Sequence, residues 1–237
     1  MRAMILAAGR GERMRPLTDT VPKPLLPAGG KPLIVWHIER LARAGLRDIV
    51  VNHAWLGALI EQSLSDGSRW DVRLRYSAEP AALETAGGIR QALPLLGDEP
   101  FLVINGDIWT DWDPAQAADA ARGLSPDGRL AWLVLVDNPA HHPAGDFRLA
   151  PSGLVQDAEP RLTFAGIGVY RPELFADLPA GEPARLAPLL RAAMAEGRVA
   201  GVRHGGRWTD VGTPRRLADL DAGLQSSPVI PRTDPSP

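Results

Sequence analysis

Through the first 105 residues, short runs of continuous apolar residues alternate with longer helix-like stretches, and this alternation admits few architectures. The runs cover residues 3–8, 48–52, 72–77 and 101–105, and another follows at 130–136. They are apolar throughout rather than at every second position, the pattern of strands buried on both faces of a sheet. Between them lie helix-like stretches at 32–44, 55–64 and 86–96; the first opens at Pro32 and stops before Gly45, good start and stop signals. Strands alternating with helices imply right-handed crossovers and a mainly parallel sheet covered on both faces. The fold class expected is α/β, with a Rossmann-like, mainly parallel or mixed central sheet.

Beyond residue 137 the pattern changes. Residues 137–162 alternate and carry turn residues, and are expected to form a small antiparallel insertion. Residues 162–170 read as a further strand of the main sheet. Helices are expected at 172–178 and 184–196, and "RWTDVGTPRRLADL" reads as a loop followed by a helix from about Pro214. Residues 1–225 therefore form one domain in this reading. The proline- and serine-rich stretch 226–237 is expected to be disordered.

Composition narrows the function. There is no cysteine, which excludes a disulfide scaffold and thiolate zinc sites. The net charge of −2 gives no globally basic surface, so no nucleic-acid partner is expected. No run approaches the roughly 18 apolar residues of a membrane span, and the first apolar run is too short for a signal-peptide core. A cytoplasmic protein with no membrane partner is expected. No heptad repeat stands out, and oligomeric state is not legible in the sequence.

The first run ends in "LAAGRGERMRP". Glycines directly behind a strand let backbone N–H groups approach a phosphate closely. Two known phosphate patterns fail here: no Gly-Lys-Ser/Thr follows, and Met14 stands where a dinucleotide fingerprint needs its third glycine. What remains is Gly9-x-Gly11-x-Arg13, with an arginine suited to bidentate phosphate contact. Taken alone, it is equally a turn with solvated arginines. Lys23 shifts that balance. It sits between Pro22 and Pro24, whose rings stiffen the segment and can hold the lysine at a fixed distance from the glycines. Lys31-Pro32 is a weaker echo, read as a helix entry.

Further along, Asn105-Gly106-Asp107 closes the fourth run. Ligands of open α/β sheets bind at such strand ends, and a carboxylate there suits magnesium; the same tripeptide is also a common turn. Asp210 offers a second carboxylate 103 positions later, although Thr213-Pro214 behind it equally reads as a helix cap. Gly87-Gly88 begins a helix. Asp111 and Asp113 read as loop carboxylates or caps. His141 and His142 are adjacent and point to different sides of an extended chain, so no shared metal is expected.

The segments "LAAGRGERMRPLT", "PKPLLP" and "KPLI", followed in order by "ETAGGI", "VINGD", "FAGIGVY" and "WTDVGTP", resemble the sugar-1-phosphate nucleotidylyltransferases, also called nucleoside-diphosphate-sugar pyrophosphorylases. The resemblance covers about residues 1–225. It implies the nucleotide-diphospho-sugar transferase fold. It implies a reaction in which a sugar 1-phosphate attacks the α-phosphorus of a nucleoside triphosphate. Carried over residue by residue, it makes Arg13 and Lys23 catalytic. Ala8, Gly9, Gly11, Glu12, Arg13, Lys23 and Gly87 become nucleotide contacts, and Asp107 and Asp210 ligands of Mg2+. Sugar contacts are implied at Asn105, Gly145 and one of Asp157 or Glu159. The family wording at "ETAGG" is closer to Gly-Thr-Ala-Gly, so Glu84 is a departure that bears on the base contacts. Longer members carry C-terminal extensions, and a stand-alone transferase domain is expected here. "NHAWLGALIE" and "LVLVDNPAHHPAGDFRL" are most similar to the bacterial uridylyltransferases of cell-wall recycling. That branch implies UTP and N-acetylmuramate 1-phosphate as substrates. Guanylyltransferases acting on mannose 1-phosphate share most of the motifs and stay the alternative. A nucleotide-sugar sensor without turnover is the alternative of a different class, and the presence of Lys23, Asp107 and Asp210 speaks against it.

Overall fold

The structure, a computed structural model, describes residues 1–226; most of the proline- and serine-rich tail lies outside the described residues. Seven strands form the main sheet: β1 (Ala3–Leu6), β2 (Asp48–His53), β3 (Arg73–Ala78), β4 (Phe101–Asn105), β5 (Ala131–Val136), β6 (Thr163–Tyr170) and β7 (Val199–Arg203). Their order is β7-β5-β6-β4-β1-β2-β3. β6 is antiparallel to both its neighbours, β4 and β5, while the other pairings are parallel. The sheet is thus mixed, with β6 alone reversed.

The helices are α1 (Leu33–Arg43), α2 (Gly57–Leu64), α3 (Glu84–Leu96), α4 (Gln116–Arg122), α5 (Leu186–Ala195) and α6 (Pro214–Gln225). Alternate residues of each central strand feed two cores. Ala3 and Ile5 of β1 and Leu102 and Ile104 of β4 pack with α1, α2 and α4. Met4, Phe101 and Val103 pack on the other face with α3 and α5. Strands covered on both sides need no polar face, which is why the runs were continuous in the sequence. A third, smaller core joins Met14, Leu26, Leu33, Trp109 and Leu217, tying the segment after β1 to α6.

Several boundaries differ from the sequence expectation for local reasons. The helix expected at 172–178 is one 3-10 turn, Pro172–Phe175; Pro179 disfavours helical geometry at the residue before it. α5 begins at Leu186 rather than 184, because the carbonyl of Ala184 accepts from the amides of Ala86 and Gly87 and is held extended. α4 and β7 were not anticipated. β7 is a short edge strand interrupted by Gly201, and glycine weakens strand signals.

One packing interaction gives a pH prediction. His37 of α1 is buried, and its Nε2 lies 2.8 Å from the carbonyl of Ile108, to which Nε2–H donates. Burial pushes its pKa down to about 4, from an ordinary 6.5. The unfolded chain therefore takes up a proton between those values that the folded chain refuses. Stability is full above pH 6.5 and falls as pH drops towards 4, by about 2 kcal/mol at pH 5 from this group. Urea midpoints at pH 7 and pH 5 check this: the drop is expected to shrink in His37→Gln, and equal drops in both proteins would contradict it.

Candidate active site

Strand order reverses at β1: β2 and β3 lie on one side, β4 and its neighbours on the other. Where open sheets reverse, the loops leaving the two central strands part and form a crevice. A cleft of about 650 Å3 lies there, lined by the loop after β1, Lys23, Asn52, Thr85, Asn105 and Asp107.

The loop after β1 is fixed at its base by the bond from the Ala7 amide to Asn52 Oδ1, 2.9 Å. Ala8, Gly9, Gly11, Glu12 and Arg13 all line the cleft, and Glu12 and Arg13 are exposed. A Cβ built at Gly9 meets nothing within 4 Å, so its backbone faces open space. Gly11 has φ 68°, which favours glycine. A Cβ there would also fall 3.0 Å from Thr18 Cγ2 and 3.3 Å from Lys23 Cβ. The lysine stem therefore lies directly against the glycine loop, the arrangement for which the flanking prolines suit it. Met14 is fully buried in the third core. That packing role explains why no third glycine stands at its position.

Lys23 donates from Nζ to Asp107 Oδ2 at 2.6 Å, with only 9% of its side chain exposed. Behind Asp107 the chain forms a short strand, Ile108–Thr110, which pairs antiparallel with Trp208–Asp210. Asp210 stands opposite Ile108 in the register, and the Val211 amide donates to the Asp107 carbonyl at 2.8 Å. This ribbon, read from the sequence as loop, brings the backbones of two aspartates 103 positions apart onto adjoining strands. It is anchored from both sides: His37 holds Ile108, and Trp208 Nε1 donates to the Ala165 carbonyl of β6 at 2.9 Å. Asp210 Oδ1 accepts from Arg216 Nη1 at 2.5 Å and lies 2.8 Å from His141 Nε2. His142 instead contacts Asp146, at 3.1 Å, so the two histidines serve different carboxylates.

The donor set fits a hard divalent cation. Asp107 lines the cleft, and Asp210, outside the lining, stands on the adjoining strand opposite Ile108; such an ion takes one or two carboxylates and completes its shell with phosphate and water. Among the described residues no trio of His, Cys, Asp or Glu converges on a point. The Lys23 and Arg216 cations lie where they balance the pair.

On the wall formed by the start of α3, Glu84 has φ 59°, a conformation that is uncommon for a side-chain-bearing residue. Ala82, Glu84 and Thr85 line the cleft. Gly87 does not: its amide donates to the Ala184 carbonyl at 3.1 Å, and a Cβ there would strike the Glu182 carbonyl. The Gly87 expected over the nucleotide thus packs against the 182–184 segment, and the residues before it face the cleft. Gly88 clears room for a buried network that sequence reading missed. Asn52 Nδ2 donates to Glu79 Oε1 at 2.6 Å, and the Leu83 amide donates to Glu79 Oε2 at 2.9 Å. With Asn52 also holding Ala7, this chain of bonds ties the glycine loop to the loop before α3.

In the insertion, Arg148–Leu149 pairs antiparallel with Val155–Gln156. Gly145 is buried at φ 62° between Asn138 and Arg161. Asp157 is engaged by Arg161 and Arg191 at 3.2 and 3.1 Å, and Glu159 by Arg161 at 3.2 Å. Asn105 lines the cleft, whereas Gly145, Asp157 and Glu159 are not among its lining residues.

A family model described as Nucleotidyl transferase matches residues 2–227. The N-acetylmuramate alpha-1-phosphate uridylyltransferase of Neisseria meningitidis serogroup B is 57% identical over 226 residues, 94% of this chain and 97% of that one. The protein of the same name from Caulobacter vibrioides is 37% identical over 94% of this chain and 96% of its own. A mannose-1-phosphate guanylyltransferase of Mycobacterium tuberculosis is 30% identical, covering 96% of this chain and 67% of its own length. Among solved structures, a protein assigned as a glucose-1-phosphate thymidylyltransferase from Bacillus anthracis superposes with TM-score 0.83 at 21% identity, over 96% of both chains. HddC from Yersinia pseudotuberculosis superposes with TM-score 0.74 at 19% identity, over 94% of this chain and 99% of its own. These two similarities establish the fold.

Proposed function

The chain belongs to the nucleotidyl transferase family, and we propose that it transfers a uridylyl group from UTP to N-acetylmuramate 1-phosphate, giving UDP-N-acetylmuramate and pyrophosphate. The observation that supports the reaction type is Lys23, held against the glycine loop and donating to Asp107, with Asp210 across the ribbon from Ile108. The choice of substrates rests on the 57% identity, over nearly the full length of both chains, to a relative bearing that name.

Enzymes of this family use a divalent metal, and the ion proposed here is Mg2+. When bound between Asp107 and Asp210, magnesium supplies Lewis-acid neutralisation of phosphate charge at the reacting centre. The protein's own groups do the rest. A non-bridging oxygen of the sugar phosphate attacks the α-phosphorus of UTP, and the bond from that phosphorus to the α–β bridging oxygen breaks. Pyrophosphate leaves with the electron pair. The attacking oxygen is already anionic, so no general base is required of the chain. The difficulty is repulsion: two like unit charges 4 Å apart repel by about 4 kcal/mol at an effective dielectric of 20. The amides of the Gly9–Gly11 loop and the Arg13 guanidinium hold the triphosphate. Lys23, shielded from solvent, lies between that loop and Asp107, where charge builds up on the α-phosphate. Both substrates are phosphorylated metabolites of the cytoplasm, and the product belongs to cell-wall recycling in this reading.

Pyrophosphate release tests it, measured with magnesium for UTP, GTP, dTTP and CTP against N-acetylmuramate, N-acetylglucosamine, glucose and mannose 1-phosphates. Release dominated by UTP with N-acetylmuramate 1-phosphate is expected. Release dominated by GTP with mannose 1-phosphate would keep the residues and move the substrates. Nucleotide binding without release in any combination would overturn the enzyme reading.

A further inference from the structure

The sequence drew no role from Arg216 or His141, and the structure places both on Asp210. We propose that Arg216, assisted by His141, binds the phosphate of the incoming sugar 1-phosphate and holds it for attack. This rests on the reading above only in requiring a sugar 1-phosphate as second substrate.

The position of Arg216 calls for an anion. It lies in the first turn of α6, where Thr213 caps the helix and no acidic residue balances the exposed amides. A cation there opposes the helix dipole. Its side chain is nevertheless drawn inward, 18% exposed, instead of reaching into solvent. The guanidinium lies across Gly212, where a Cβ would strike it, and Gly212 lines the cleft. Arg216 therefore stands directly behind Gly212, one residue removed from the cleft lining.

Its present partners leave donor capacity over. Arg216 Nη1 contacts both Asp210 Oδ1 at 2.5 Å and His141 Nε2 at 2.6 Å, and His141 Nε2 lies 2.8 Å from the same oxygen. A guanidinium with five donors and an imidazole thus crowd onto one carboxylate oxygen. The planar fork of arginine matches phosphate as well as carboxylate. With Asp210 holding a metal ion, the fork would be free to take a phosphate beside Gly212.

Of the other cations of the sugar-side insertion, His142 and Arg161 are already engaged, and Arg148 stands in the strand Arg148–Leu149, outside the cleft lining. His142 is on Asp146, and Arg161 is on Asp157 and Glu159. Arg13 and Lys23 belong to the opposite wall, with the triphosphate. Arg216 and His141 are the pair that the insertion and α6 together bring onto Asp210.

The test separates the two substrates. For wild type, Arg216→Gln, Arg216→Lys and His141→Asn, calorimetry measures UTP binding with magnesium and, separately, binding of N-acetylmuramate 1-phosphate and mannose 1-phosphate. Steady-state kinetics with the sugar phosphate that wild type uses give KM and kcat. Arg216→Gln is expected to weaken sugar-phosphate binding and raise its KM by roughly 10- to 100-fold, the scale of a lost charge-assisted contact. UTP affinity should stay within about twofold, with partial recovery in Arg216→Lys and a smaller defect in His141→Asn. Unchanged sugar-phosphate binding in Arg216→Gln would overturn the proposal. So would equal loss of UTP affinity, or full rescue by excess magnesium, which would mark Arg216 as merely ordering Asp210. A thermal melt unchanged from wild type separates these results from misfolding. If wild type binds mannose 1-phosphate instead of the muramate, the substrate reading fails while the role of Arg216 is tested on that ligand. A wild type that binds neither overturns the proposal.

Discussion

Lys23→Ala is expected to lower kcat by more than about 100-fold, the loss typical of a removed electrostatic group at a reacting centre. The lysine is placed for this with unusual constraint. Its stem packs against Gly11, its ammonium donates to Asp107 at 2.6 Å, and it is almost wholly shielded from water. A charge so shielded acts on phosphate oxygen more strongly than a solvated one. Asp107 is 42% exposed on its side chain, so removing its partner leaves a carboxylate that water still reaches, and the fold should persist. Lys23→Arg should not restore the rate, because the bulkier guanidinium would have to enter a space bounded by Gly11 and Thr18. Stopped-flow or steady-state pyrophosphate release, with circular dichroism as the folding control, measures it. Turnover within tenfold of wild type would remove Lys23 from the reaction, since a tenfold loss is only about 1.4 kcal/mol.

The second large effect is expected from Asp107→Asn, also above about 100-fold in kcat, with a raised magnesium requirement. Asparagine keeps the shape and can still accept from Lys23, so what the variant removes is charge on a metal-binding oxygen. Asp210→Asn should act in the same direction. The double variant discriminates: two carboxylates on one ion act as a unit, so the double loss should be well short of the product of the singles. Fully multiplicative losses would mean that the two residues act independently, contrary to the shared metal site proposed for them. Magnesium titrations of kcat for all three proteins provide the measurement.

Much of this was legible in the residues because it is local. Continuous apolar strands, Gly9 and Gly11 behind β1, and Lys23 between prolines are short-range patterns whose physics does not depend on distant contacts. Six of the seven strands of the central sheet followed from such patterns, all but β7. The reversed strand β6 was placed in the sheet but not oriented, since direction depends on where the insertion lets the chain return. What was not legible depends on pairing across long separations. The ribbon joining Ile108–Thr110 to Trp208–Asp210 leaves no periodic trace in three residues, so Asp210 could be paired with Asp107 only by resemblance. Asn52 and Glu79 looked like ordinary polar residues, one at a strand end and one in a loop. Their network depends on Gly88 standing beside them. Gly87 illustrates the converse: its motif was recognised, yet its amide is committed to Ala184 and the cleft is lined instead by the residues just before it. For Arg216, the available signal was a pair of arginines directly behind a helix-starting proline, where acidic residues are favoured.

The most direct measurement is identification of the product. Purified protein, UTP, N-acetylmuramate 1-phosphate and magnesium are incubated with inorganic pyrophosphatase, and the nucleotide fraction is read by mass spectrometry. The account predicts UDP-N-acetylmuramate, absent when magnesium is chelated and reduced at least about 100-fold with Asp107→Asn. Intact UTP beside folded, nucleotide-bound protein, or an undiminished yield from Asp107→Asn, would contradict it.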